Sequence, residues 1–153
     1  MTNSSVSNLS LLRMRNFLAI VCASCMLLSS CGRSSAKSLG IAKQNAEQFH
    51  SQLNSEQYTA VYASTDEKFR VVTSEPKFTK LLEAVHRKLG NVQQSNLRNM
   101  YIGWPTGRGQ TVSLVYDTTF AQGTGTEHFT WIVKDSNTTL YSYYINSDDL
   151  IEK

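Results

Sequence analysis

Two hydrophobic periods divide the chain. From Leu39 to Leu89 apolar residues return every three or four positions; from Val92 to Asn146 they return every second one. Leu39, Ala42, Ala46, Phe49 and Leu53 trace one face of an amphipathic helix, with Ser38 placed to cap it. His50 sits beside Phe49, off the centre of that stripe, and reads as a surface histidine. Asn54-Ser55 breaks the pattern, and Tyr58, Val61 and Tyr62 mark a short second helix. Ser64-Thr65-Asp66 ends it and opens Glu67–Val72, which fits either a turn of helix or a short strand. Ser74-Glu75-Pro76 has a capping hydroxyl, an acid and a proline where a helix starts. Phe78, Leu81, Leu82, Val85 and Leu89 continue that helix. His86-Arg87-Lys88 complements its dipole, and Gly90 is the expected left-handed terminator.

The alternating half predicts four strands. The first lies within Val92 to Trp104, with Met100, Ile102 and Trp104 on one face, and a turn follows over Gly103–Gly109. Thr111 to Phe120 sets Val112, Leu114, Tyr116, Thr118 and Phe120 against Thr111, Ser113, Val115, Asp117 and Thr119. Gln122-Gly123-Thr124-Gly125 reads as a hairpin connection. Glu127 to Val133 places Glu127, Phe129, Trp131 and Val133 on one face and His128, Thr130 and Ile132 on the other. After a tight turn at Asp135-Ser136-Asn137, Thr138 to Asn146 opposes Tyr141, Tyr143 and Ile145 to Leu140, Ser142 and Tyr144. The tail 148–153 is polar and reads as frayed. Helices followed by a four-stranded meander make an α+β domain, with the N-terminal helices packed on one face of an antiparallel sheet.

The first 30 residues carry a different signal. Arg13 and Arg15 precede an apolar stretch from Phe17 to Leu28, too short for the roughly 20 residues that a helical span needs. Leu28-Ser29-Ser30-Cys31 follows. This resembles the lipobox of bacterial lipoproteins over 14–31, where a peptidase needs small side chains beside the scissile bond and an apolar one at the third position before it. The resemblance implies a signal peptide over 1–30, a lipid attachment site at Cys31 and a polar, flexible linker over 31–38. The expected partner is then the membrane itself, through acylated Cys31. Two or three acyl chains anchor stably where one is marginal. Gly32, where an Asp would favour inner-membrane retention, favours the outer membrane facing the periplasm. A start at Met14 would give a tidier signal.

That leader changes the composition. It takes two of the 15 basic residues, leaving 13 against 12 acidic ones and no basic stripe, so no nucleic-acid partner is expected. Cys22-Ala23-Ser24-Cys25 is formally a C-x-x-C, but it lies within the apolar run and not between a strand and a helix as a redox motif would. Only Cys31 would remain, so the domain must be stable without a disulfide.

The domain over 39–147 resembles the cystatin-like/NTF2-like superfamily, in which a helix lies in a strongly curved antiparallel sheet, and within it small bacterial proteins of unknown function. The stretches that carry this are Lys68-Phe69-Arg70, Phe78 to Leu89-Gly90, Tyr116-Asp117-Thr118-Thr119-Phe120, Glu127-His128-Phe129-Thr130-Trp131 and Tyr143-Tyr144-Ile145-Asn146-Ser147. Some members resemble ketosteroid isomerase, with an acid in an apolar cone and tyrosines as oxyanion donors. The corresponding pieces would be Asp117, Glu127, His128 and some of the tyrosines.

Glu127 is the most informative of these, a carboxylate on a core-facing strand position. It could be a perturbed acid, sit wet at the strand's end, or pair with Arg70 or Arg98. Phe49, Glu127, Phe129 and Trp131 would line any pocket between helix and sheet. Tyr141, Tyr143 and Tyr144, with Trp104 and Trp131, read first as sheet-packing residues and second as a face for another envelope protein, a peptide or a glycan. His50, His86 and His128 stand in unrelated contexts and suggest no zinc site. No glycine pattern cradles a phosphate, so no cofactor is expected. The expectation is a non-enzymatic envelope lipoprotein acting as an interaction or assembly module. A small apolar ligand binder or isomerase-like enzyme is the alternative.

Overall fold

A computed structural model describes residues 30–104, 109–134 and 137–152. Cys22, Cys25 and Leu28, most of the Gly103–Gly109 turn, and Asp135-Ser136 lie outside the described residues. Lys37–Lys153 forms one compact unit, the α+β domain described here. Its elements run α1 (Ser30–Asn54), α2 (Tyr58–Ala63), α3 (Glu67–Val72), α4 (Glu75–Leu89), β1 (Val92–Gly103), β2 (Gln110–Phe120), β3 (Gly123–Lys134), β4 (Asn137–Asn146) and α5 (Asp148–Glu152). The strands form one antiparallel meander in the order β1-β2-β3-β4.

α1 is longer than its apolar stripe. The segment expected as a flexible linker, 31–38, is helical, and Ser38 is buried. Its Arg, Ala and Lys residues are good helix formers, and extending a nucleated helix costs far less than starting one. The stripe itself is buried at Ala42, Ala46, Phe49 and Leu53. At the end of α1, Asn54 uses its side chain to bond both the N–H (2.8 Å) and the C=O (3.1 Å) of Val92, pinning the start of β1.

Glu67–Val72 is a helix, which settles the choice left open by its sequence. Asp66 caps it by accepting from the Lys68 N–H at 3.0 Å, and only Phe69 is buried while Val71 and Val72 face water. α4 begins as read, although the Ser74 hydroxyl makes no cap bond. It buries Phe78, Leu82, Val85 and Leu89. Gly90 has φ 75° and ψ −164°, a conformation that glycine alone adopts readily, and a Cβ there would stand 3.1 Å from the Ala121 Cβ.

The inward residues of β2 are those its alternation marks, Val112, Leu114, Tyr116, Thr118 and Phe120. Three expectations in this half are corrected. The β2–β3 connection is Ala121-Gln122, because Phe120 already pairs with Gly123. Gly123 and Gly125 belong to the strand, where Cβ atoms would fall 2.6 Å from Asp149 Oδ2 and 2.9 Å from Ile145 Cδ1. These glycines serve close approach and not a turn. The tail is also ordered as α5: Asp149 accepts from the Thr124 N–H, and Lys88 Nζ donates to the Leu150 carbonyl at 2.7 Å.

The third correction concerns β4. Thr130 pairs with Ser142 but Trp131 pairs with Leu140, so Tyr141 is an extra residue. Such a bulge shifts the two-residue period by one. Leu140 and Tyr143, assigned to opposite faces by strict alternation, are both buried in the core. The loop before α3 also covers the β4 edge here. Ser64 O accepts from Leu140 N, and Asp66 N donates to Leu140 O.

Candidate functional site

The side chains at issue converge on Glu127. β3 holds this residue with its inward neighbours Phe129 and Trp131, opposite Tyr116 on β2 and Ile145 on β4. Its exposure is 0%. Thr118 on β2 donates its hydroxyl to Oε2 at 2.6 Å. Tyr143 on β4 donates to Oε1 at 2.9 Å. His50 on α1 brings Nε2 within 2.8 Å of Oε2. With Glu127 ionised, Nε2 must carry the proton and donate. Three donors from three different elements therefore meet one carboxylate inside the core.

Aromatic rings enclose this cluster. Phe49 meets Phe129 edge-on at 5.0 Å between centroids and lies tilted against Tyr143 at 4.6 Å. His50 is flanked edge-on by Phe129 at 5.7 Å and Tyr116 at 6.2 Å. Trp131 stacks on Phe129 at 6.1 Å. Burial, and then the charge and hydrogen bond of Glu127, push the Tyr143 phenol well above its ordinary range. It stays a neutral donor throughout the physiological range. Burial likewise raises Tyr116, with the Glu47 and Glu127 charges adding to it.

The four residues chosen as pocket lining, Phe49, Glu127, Phe129 and Trp131, are thus brought together in the core. Glu127 is neither wet nor paired with arginine. Arg70 bonds Thr65 and the Ala63 carbonyl, and Arg98 reaches the exposed Asp117 at 3.5 Å. His128 lies on the opposite sheet face, stacked on Tyr144 at 4.2 Å. His86 joins Tyr58 and Asn91, away from the cluster. The aromatic residues considered as a binding face divide: Trp131 and Tyr143 point inward, while Trp104 and Tyr144 are exposed.

His50 corrects the reading most. It is 7% exposed, not a surface histidine. The signal was present in the spacing, since His50 follows Ala46 by four and precedes Leu53 by three, both positions on the buried face. Thr118 was legible on the apolar face of its strand and Tyr143 only as a strand residue opposed to Leu140; their shared acceptor was not.

The carboxylate can do little chemistry where it sits. Most of its lone-pair capacity is taken and none of it faces solvent. A depression of about 540 Å³ opens at the far end of the β2–β3 hairpin, lined by polar residues including Asp117, Thr119, Thr126, Asp148 and Asp149. Thr118 lies between this depression and Glu127. Among the described residues no group of His, Cys, Asp and Glu is arranged to hold a metal ion. Against models of known protein families the chain has no match, and no curated protein matches it.

Proposed function

We propose that this chain is a membrane-anchored envelope lipoprotein whose domain, of cystatin-like/NTF2-like kind, is a non-catalytic interaction or assembly module. The observation that carries the module reading is the saturation of Glu127, the best-placed acid in the fold. Three donors hold it in a dry core, as suits a group that fixes α1 to the sheet. The anchor rests on the apolar run ending in Leu28-Ser29-Ser30-Cys31. Acylated Cys31 would tie the domain to the bilayer, with the outer membrane favoured by Gly32.

The alternative, a small apolar ligand or isomerase-like chemistry between α1 and the sheet, would require Phe49, Phe129 and Trp131 to part from their mutual packing. The test of the anchor is mass spectrometry of the N-terminal peptide from protein extracted from membranes. A diacylglyceryl-modified Cys31 is expected, with loss of membrane association in Cys31→Ser. An unmodified Cys31 overturns it. Turnover of a substrate that disappears in a folded Glu127→Gln variant would overturn the non-catalytic reading.

A further inference from the structure

The domain has two unlike ends, and the course of α1 says which of them receives the preceding chain. Asn54 bonds Val92 at the end of the sheet that holds the β2–β3 connection. Back along α1, His50 meets Glu127, and Phe49 meets Phe129, further from that end. The buried positions Ala46, Ala42 and Ser38 continue the same line. The rise from Phe49 back to Lys37 is about 18 Å at 1.5 Å per residue. Along β3, Phe129 to Val133 covers only about 13 Å. Lys37 therefore stands at the end of the sheet where β1 leads to β2 and β3 to β4. Three of the large exposed apolar side chains gather at that end: Met100 at 50%, Tyr101 at 71% and Trp104 at 61%. A Cβ at Gly103 would lie 3.2 Å from the Tyr101 ring, so the ring leans over Gly103 toward Trp104. The opposite end is polar, with Asp117, Asp148 and Asp149 around its depression.

We infer that Met100, Tyr101 and Trp104 rest in the headgroup region of the bilayer that holds Cys31, so that the domain stands on the membrane with its acidic end outward. This rests on the anchor reading above. From Cys31 to Lys37 the chain reaches at most about 20 Å even fully extended. The sheet is longer, about 36 Å along β1, so the acidic end cannot come to the same bilayer. Tyrosine and tryptophan, each an apolar ring with a polar handle, settle at the membrane–water interface. Lys37 and Lys134 are exposed at this end, while Asp66 and Glu67 share a smaller depression with Lys134. Charge there nearly balances, and the rings carry the contact. A bilayer also suits the open form of the patch, because it takes up projecting apolar side chains without a matching groove. The acyl chains supply the affinity. The tip adds a second contact, made at the high effective concentration that the tether provides, and so fixes orientation.

The chain has two tryptophans, Trp104 exposed and Trp131 buried, so emission reports on the tip. The experiment takes the protein as purified from membranes into phosphatidylcholine vesicles, with and without bromine on the acyl chains near the headgroup. On reconstitution the emission should shift to the blue, lose intensity to bromine and resist aqueous iodide. Trp104→Phe should remove all three responses, because Trp131 is enclosed by the core. Thr119→Trp in that background reports on the opposite end, at an exposed position, and should be quenched by iodide and not by bromine. A chain that carries diacylglyceryl at Cys31 and floats with the vesicles, but whose Trp104 stays open to iodide and untouched by bromine, overturns this inference alone. The anchor then stands, and the tip is left to a protein partner. Equal bromine quenching from positions 104 and 119 also overturns it. A chain with unmodified Cys31 that does not float overturns the anchor and the orientation together.

Discussion

Replacing Glu127 by leucine tests whether the buried carboxylate organises the core. Leucine roughly keeps the side chain's size but removes the carboxylate shared as acceptor by Thr118, Tyr143 and His50. Each donor left dry costs about 1–3 kcal/mol. His50 can shift its proton to the other ring nitrogen, and Thr118 can turn its hydroxyl. The net loss is therefore about 3–5 kcal/mol, a large part of the roughly 5–15 kcal/mol of a typical domain. Glu127→Gln keeps one oxygen for Thr118 and His50 and turns an amide donor to Tyr143, whose hydroxyl can accept, so it should cost only about 1–2 kcal/mol. Urea unfolding followed by circular dichroism measures both, provided the slope with denaturant is unchanged. Tyr143→Phe completes a cycle. Alone it should destabilise by about 1–2 kcal/mol, and in the Glu127→Leu background by nearly nothing, because the hydroxyl it removes is already unpartnered. Leucine as stable as the wild type, or strictly additive losses, would refute the reasoning.

Two further outcomes follow from the same structure. The Tyr143 phenol is raised well above the usual 10.0, so on alkaline titration the unfolded chain loses that proton first. Its contribution to stability is thus complete below pH 10 and falls as pH rises beyond it; the unfolding midpoint of the wild type should drop more steeply there than that of Tyr143→Phe. The two serine or aspartate caps should separate as well. Asp66→Ala loses the bond from Lys68 N and the contact with Thr139 and should cost about 1 kcal/mol, while Ser74→Ala, whose hydroxyl caps nothing, should change stability by only a few tenths.

Local periodicity made most of the fold legible. The stripe Leu39 to Leu53, the helix ending at Gly90 and the alternation of Thr111 to Phe120 each state which face is buried. What the pattern could not carry is pairing between distant residues. A glycine kept clear of Ile145 and a glycine in a hairpin look alike in sequence, and only the position of β4 separates them. The bulge at Tyr141 leaves no local mark, because no glycine or proline stands beside it to signal a break in the strand. The site shows the same division. Glu127 was singled out by facing the core beside Phe129 and Trp131. His50 lies 77 residues away, and nothing in either local pattern says that they meet.

The extra residue in β4 gives that strand an unusual sensitivity. It brings Leu140 inward on one side of Tyr141 and Tyr143 inward on the other. A strand without it could supply the core with one of these or the other, and the acid on β3 would lose a donor whenever the core kept Leu140. Substitutions at Tyr141 leave that spacing intact. Deleting it, or adding one neighbour, turns half the strand inside out. Among related sequences the length between Leu140 and Tyr143 should therefore hold constant even where the residue at 141 drifts.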